Sequence, residues 1–124
     1  MQSEVELSVL VVDDDEQIRK SLPRLFHKLP VRVRCASSAA EALALIEQEQ
    51  CDLLISDYKM PGMTGLQLLE QVRARWPQVR AVLNTGEADA VKTALSKGFA
   101  AVLKPEAHDA LVAIAAEMIE RKTT

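Results

Sequence analysis

The runs Val9-Leu10-Val11-Val12 and Leu53-Leu54-Ile55 are apolar at every position, with no polar alternation. That pattern belongs to parallel strands in the middle of a sheet, covered by helices on both faces. Strands are expected over Leu7–Val12, Val31–Cys35, Asp52–Ser56, Arg80–Asn84 and Ala100–Leu103, with stretches of helical period between them. Alternation of this kind is the α/β pattern. Val31-Arg32-Val33-Arg34-Cys35 alternates strictly and is placed at a sheet edge, where one face is partly wet. At 124 residues the chain has room for a single domain with a genuine core.

The helices are marked by their starts. Ser38-Ala39-Ala40-Glu41 and Thr64-Gly65-Leu66-Gln67 both fit the capping box. Apolar residues follow at helical spacing: Ala42, Leu45 and Ile46 in one helix, and Leu69, Val72 and Trp76 in the other, which Pro77 stops. These stripes, tryptophan included, are assigned to the core. A short helix is expected from about Ala88 to Lys97, ended by Gly98, and a last one from about Ala107 to Ile119, burying Leu111, Ile114, Ala115 and Met118. Pro23 lies inside the helical stretch 16–28, where it removes a backbone hydrogen bond, so a kink or break is expected near Leu22.

A net charge of -3 gives no basic surplus for a phosphate backbone, so direct nucleic-acid binding is not expected. Cys35 and Cys51 have neither metal-ligand nor disulfide-framework spacing and read as small buried hydrophobes in a reducing compartment. The segment MQSEVEL has no apolar signal core, and no apolar run has the length of a membrane span. A cytoplasmic protein, or a cytoplasmic piece of one, is expected, with no membrane contact. His27 and His108 fall on helical segments away from the acidic residues and are expected at the surface.

Parallel sheets bind ligands outside the carboxyl ends of their strands. Those ends carry Asp13-Asp14-Asp15-Glu16, Asp57, Thr85-Gly86 and Lys104-Pro105. Acids at a helix start also cap it and suit its dipole. That explanation fits Asp57 poorly, because the loop 60–65 separates it from the next helix. If the first and third strands are neighbours, Asp13, Asp14 and Asp57 crowd negative charge into one pocket, which calls for a cation. Ligands that are all oxygen, without His or Cys, suit Mg²⁺ and exclude zinc. A carboxylate in such a pocket can act as nucleophile towards a phosphoryl group while the metal and a lysine offset the charge on the transferred oxygens. Asp57 is best placed for that role.

The segments VLVVDDDEQIR, LLISDYKMPGMTGLQLL, VLNTG and VLKP, in this order at strand ends, resemble the response-regulator receiver domain of two-component signalling. The resemblance covers about residues 7–120, leaving 1–6 as an N-terminal tail and 121–124 as a C-terminal tail or the start of a linker. It implies a flavodoxin-like, doubly wound, five-stranded parallel sheet of order 2-1-3-4-5. It makes Asp57 the phosphoacceptor, and Asp13 and Asp14 the acid pair that holds Mg²⁺ together with Asp57. The carbonyl of Lys59 resembles the remaining protein ligand to the metal. Thr85, followed by Gly86, resembles the hydroxyl residue that turns to the phosphoryl oxygens, Lys104 resembles the lysine that pairs with them, and Pro105 resembles the proline joined by a cis peptide. Lys59, Tyr58 and Glu87 also carry side chains near the acceptor whose role the sequence leaves open.

The implied function is a phosphoacceptor switch, not a metabolic enzyme. It would take its phosphoryl group from a histidine kinase or phosphotransfer protein and act on a downstream protein or a covalently linked output domain. Three departures from the family stand out, the first two of them on the output surface. Ala101 stands where the family usually has Tyr or Phe, the interval from Thr85 to Lys104 is a few residues short, giving a shortened fourth helix, and Glu106 replaces a common Phe. A degenerate receiver, acting as a phosphorylation-independent interaction module, is the alternative these changes favour. The intact set Asp13, Asp14, Asp57, Thr85 and Lys104 speaks against it. A haloacid-dehalogenase-like phosphatase would need Gly-Thr or Gly-Val after its Asp-x-Asp and a longer chain. A flavin carrier would need a hydroxyl- and glycine-rich phosphate loop where this chain has acids.

Overall fold

β1 (Leu7–Val12) and β3 (Leu53–Ser56) are buried at every position, as their unbroken apolar runs require. The computed structural model describes residues 6–104 and 108–123. With β2 (Val31–Ala36), β4 (Arg80–Thr85) and β5 (Ala100–Leu103), these strands form one parallel sheet in the order β2-β1-β3-β4-β5. The strictly alternating strand is at an edge, and the order is the one the family resemblance implies. β2 and β4 each run one residue further than their apolar patterns, to Ala36 and Thr85, because the ladder continues through the carboxyl ends. There the Asp13 N–H donates to the Ala36 carbonyl at 3.1 Å and the Lys104 N–H to the Thr85 carbonyl at 2.8 Å. β3 starts at Leu53 rather than Asp52.

Helices α1 (Glu16–Ser21), α2 (Ala39–Gln48), α3 (Gly65–Arg75), α4 (Ala88–Ser96) and α5 (His108–Thr123) follow the strands in turn. The sheet separates two cores. α2, α3 and α4 pack on the face of Leu10, Leu54 and Leu83. The face of Val11, Ile55 and Val82 receives α5 and the region of α1. The break expected at Leu22 is present: α1 ends there and residues Leu22–Phe26 tighten into a 3-10 helix that tolerates Pro23 near its start. The capping box of α3 is complete, with Thr64 accepting from the Gln67 N–H at 3.1 Å and Gln67 from the Thr64 N–H at 2.9 Å. That of α2 is half made. Ser38 accepts from the Glu41 N–H, but the Glu41 carboxylate turns to the N–H and hydroxyl of Ser37.

Several core assignments need correction. Trp76 is only half-buried, because it lies at the end of α3, where the guanidinium of Arg75 stacks 4.3 Å above its ring. Leu45, Ile114 and Met118 flank the cores rather than filling them, and Cys35, on the edge strand, is half-buried where Cys51 is buried. α5 continues to Thr123, beyond the Ile119 end of its apolar stripe. Its expected start at Ala107, the Pro105 peptide and Glu106 lie outside the described residues. α4 has nine residues and is short, as the reduced interval implies, and Gly98 follows it at φ 89°, a conformation that favours glycine. His27 and His108 are exposed.

Candidate functional site

The register sets Val12 beside Ser56, so that Asp13 and Asp57 leave the sheet next to each other. The Asp57 N–H donates to the Val12 carbonyl at 3.0 Å, which carries the pairing one step past the strands. The acidic run then divides by role. Asp15 caps α1 by accepting from the Gln17 N–H at 2.9 Å, and Glu16 pairs in solvent with Lys20. Capping and dipole electrostatics account for those two. They do not account for Asp13, whose side chain is 3% exposed, or for Asp57 at 16%.

One carboxylate oxygen each from Asp13, Asp14 and Asp57 lies within 4.8 Å of the others. Lys104 reaches over from β5. Its Nζ is 3.1 Å from Asp13 Oδ2 and 3.6 Å from Asp57 Oδ2. Asp13 Oδ1 accepts from the Asp15 N–H at 2.9 Å, Asp57 Oδ1 accepts from the Tyr58 N–H at 2.7 Å, and Arg19 fixes the Asp13 carbonyl at 2.7 Å. Burial pushes the Asp13 carboxyl above its ordinary range. The Asp15 N–H and Lys104 pull it down without cancelling that effect, and the charge of Asp57 pushes it further up. One lysine therefore leaves three clustered carboxylates undercompensated. Their donors are all oxygen and one of them, Asp14, is exposed, so the cluster fits a hard, partly hydrated divalent cation such as Mg²⁺.

Thr85 is buried at the same end of the sheet. Its hydroxyl accepts from the Glu87 N–H at 3.3 Å, which ties it to the loop of Gly86 and Glu87. Gly86 is exposed, and a Cβ there would meet nothing within 4 Å among the described residues. The Lys59 side chain is exposed and makes an ion pair with Glu87 at 3.8 Å, bridging the loops after β3 and β4. Ala101 packs, half-buried, against the core on the α3 and α4 side, where it presents no ring.

Two residues that shape the site went unnoticed in the sequence. A Cβ on Gly65 would lie 1.8 Å from the Asp57 carbonyl oxygen, and the Gly65 N–H donates to the Tyr58 carbonyl at 2.8 Å. The start of α3 is thereby pressed against the backbone of Asp57. A glycine directly after a capping threonine was the available signal. The buried Ser56 hydroxyl also donates to the Asp57 carbonyl, at 2.8 Å; nothing in an apolar strand marks such a serine.

The model of the response regulator receiver domain family matches residues 9–116. The chain is 32% identical over 122 residues to the hydrogenase transcriptional regulatory protein HoxA of Cupriavidus necator, covering 95% of this chain and 25% of that one. It is 30% identical over 92 residues to sporulation initiation phosphotransferase F of Bacillus subtilis, covering 73% of this chain and 74% of that one. The chain thus spans about a quarter of the length of the transcriptional regulators it matches. Among solved structures, response regulator TrrA of Thermotoga maritima in complex with Mg²⁺ and a beryllium fluoride superposes with a TM-score of 0.80 at 27% identity, covering 90% of this chain and 97% of that one.

Proposed function

Since the chain belongs to the response-regulator receiver family, we propose that Asp57 is the residue on which it accepts a phosphoryl group. The observation that carries this reading is the single ammonium of Lys104 set between Asp13 and Asp57 in a cluster of three carboxylates. An oxygen of the Asp57 carboxylate attacks phosphorus in line, an acyl phosphate forms, and the bond to the donor breaks with its electron pair leaving on the donor. Asp13, Asp14, Asp57 and the Lys59 carbonyl would hold Mg²⁺, which supplies charge neutralisation at the transferred oxygens. Lys104 pairs with those oxygens, and Gly65 and Ser56 fix the backbone from which Asp57 points. The donor is a histidine kinase or phosphotransfer protein, the setting is the cytoplasm, and the receiver unit is residues 7–120 carried on to Thr123 by α5, so that 121–123, expected as a tail or linker, belong to its last helix. What responds is a downstream protein or a linked output domain.

Transmission runs through Thr85. Its hydroxyl leaves the Glu87 N–H for the phosphoryl group, which moves Gly86, Glu87 and the start of α4. That end of α4 is held by the exposed Lys59–Glu87 pair, whereas its other end is tied to α3 by Arg73, which donates to the Lys97 carbonyl at 2.7 Å, and by the Glu70–Lys97 pair at 3.0 Å. With Ala101 in place of a ring, the response is backbone movement between Asn84 and Gly98. Amide shifts with and without a beryllofluoride mimic test this, and Thr85→Ala should weaken them.

The test of the acceptor is incubation with acetyl phosphate and Mg²⁺, read by intact mass. One phosphoryl group is expected on the wild type and none on Asp57→Asn or without Mg²⁺. Labile incorporation persisting in Asp57→Asn would move the acceptor elsewhere. No uptake by the wild type would favour the phosphorylation-independent module for which Ala101 speaks.

A further inference from the structure

The residue before Thr85 is an asparagine, and it lies on the other face of the sheet from its neighbour's core. Along β4, Leu83 belongs to the core under α2, α3 and α4, while Val82 belongs to the core on the side of α1 and α5. Asn84 has the parity of Val82. Asp13 and Asp57 have the parity of Val11 and Ile55, which line the same core as Val82. The pairings Val12 with Ser56 and Ser56 with Leu83, continued by one residue, align Asp13, Asp57 and Asn84 in one row across β1, β3 and β4. Asn84 in turn pairs with Val102 of β5, and Lys104 has the parity of Val102. The Lys104 side chain leaves β5 and reaches Asp57 of β3 and Asp13 of β1. To do so it crosses the end of β4 on the face that carries Asn84.

Asn84 is 4% exposed, and its Oδ1 has no hydrogen-bond partner among the described residues. A buried acceptor left unmade is costly, and an apolar residue of similar size would avoid the cost. An ammonium group offers three N–H donors, and among the described residues the Lys104 ammonium makes one hydrogen bond, to Asp13, with Asp57 as its second ionic neighbour. We propose that Asn84 is a positioning residue of the phosphoacceptor site, whose amide oxygen takes an N–H of Lys104 and steadies the ammonium over the phosphoryl oxygens on Asp57. This rests on Asp57 being the acceptor. It also gives the orphaned oxygen its purpose: as Asp13 is drawn into neutralising the site's cation, Lys104 needs another acceptor on the β5 side of the row, and among the described residues Asn84 is the uncommitted buried one.

The test compares Asn84→Leu, close in volume and without an acceptor, with Asn84→Thr, which suits a strand and keeps an oxygen. Three quantities are read: the thermal midpoint, the rate of phosphorylation by acetyl phosphate with Mg²⁺, and the ¹⁵N signal of the Lys104 ammonium with beryllofluoride bound. The Leu variant should melt no lower than the wild type yet react about tenfold more slowly, the effect of losing one hydrogen bond to a charged group. Its Lys104 signal should shift and broaden, and the Thr variant should recover most of the rate. An unchanged rate and lysine signal in the Leu variant would overturn the proposal, as would rates that merely follow the melting temperatures of the two variants. Phosphorylation of Asp57→Asn at the wild-type rate would instead overturn the acceptor reading, a result that no Asn84 variant can produce.

Discussion

Each end of the sheet carries a buried or half-buried aspartate beside a lysine, and the two are built to opposite effect. At the amino end, Asp52 accepts from the Ser8 N–H at 2.8 Å, from Lys122 Nζ at 3.0 Å and from Gln50 at 3.3 Å. Burial pushes its carboxyl up, but these donors outweigh burial and hold it below the ordinary range. At the carboxyl end, Asp13 has a backbone N–H and Lys104, yet its carboxyl is held above that range by burial and a second acid. A satisfied carboxylate staples α5 to the sheet at one end, while the other end retains negative charge that a cation can relieve. Depth of burial and number of donors set this difference: the Asp13 side chain is 3% exposed and the Asp52 side chain 16%, and Asp52 has the additional donor.

The most disruptive change should come from crowding at the carboxyl end. Gly65→Ala, with its Cβ directed at the Asp57 carbonyl, should cost about 3 kcal/mol in thermal or urea unfolding. A loss below about 0.5 kcal/mol would show that the loop after β3 yields and that this end is not tightly built.

Asp52→Asn sharpens the contrast from the other side. It should cost about 1–2 kcal/mol at neutral pH and leave phosphorylation of Asp57 unchanged. Because the folded state depresses this carboxyl, its stabilisation is present above the unfolded value near 3.8 and is lost as pH falls through the lower folded value. The stabilities of wild type and variant should therefore converge only in strong acid. Asp13→Asn should act with opposite sign and smaller size. The folded state raises that carboxyl, so its ionised form weakens the fold above the raised value, and the penalty fades as pH falls towards 3.8. Without divalent metal the variant should melt higher than the wild type at neutral pH and lose that advantage on acidification. Equal pH profiles for the two variants would erase the distinction between the ends.

The smallest expected effect is at Trp76. It sits at the far end of α3 under Arg75, away from the acids, so its fluorescence should stay constant as Mg²⁺ is added. A strong quench that vanishes in Asp13→Asn would mean that the ends communicate.

Much of this arrangement was legible in the residues, for identifiable reasons. Unbroken apolar runs marked β1 and β3 because central parallel strands have no wet face, and Pro23 marked the end of α1 because it cannot donate within a helix. The strand order came from the family resemblance, since periodicity says nothing of which strands are neighbours. Asp13, Asp14, Asp57 and Lys104 were visible as charges at the ends of apolar strands. Asn84 and Gly65 were not. The importance of each comes from a contact across the fold, a register row in one case and a backbone approach in the other, and neither leaves a local pattern. Trp76 and Ile114 were over-read as core because helical spacing identifies a face without saying how far the neighbouring element extends over it.

If the carboxyl end stores negative charge for a cation, binding of that cation must stabilise the fold. Thermal midpoints measured as Mg²⁺ is titrated into wild type, Asp13→Asn and Asp52→Asn test it most directly. The wild type and Asp52→Asn should gain the same stability, little below Kd and about 1.4 kcal/mol for each tenfold rise in Mg²⁺ above it, while Asp13→Asn stays nearly flat. A wild type whose midpoint ignores Mg²⁺, or an Asp13→Asn variant that follows the wild-type curve, would contradict the account.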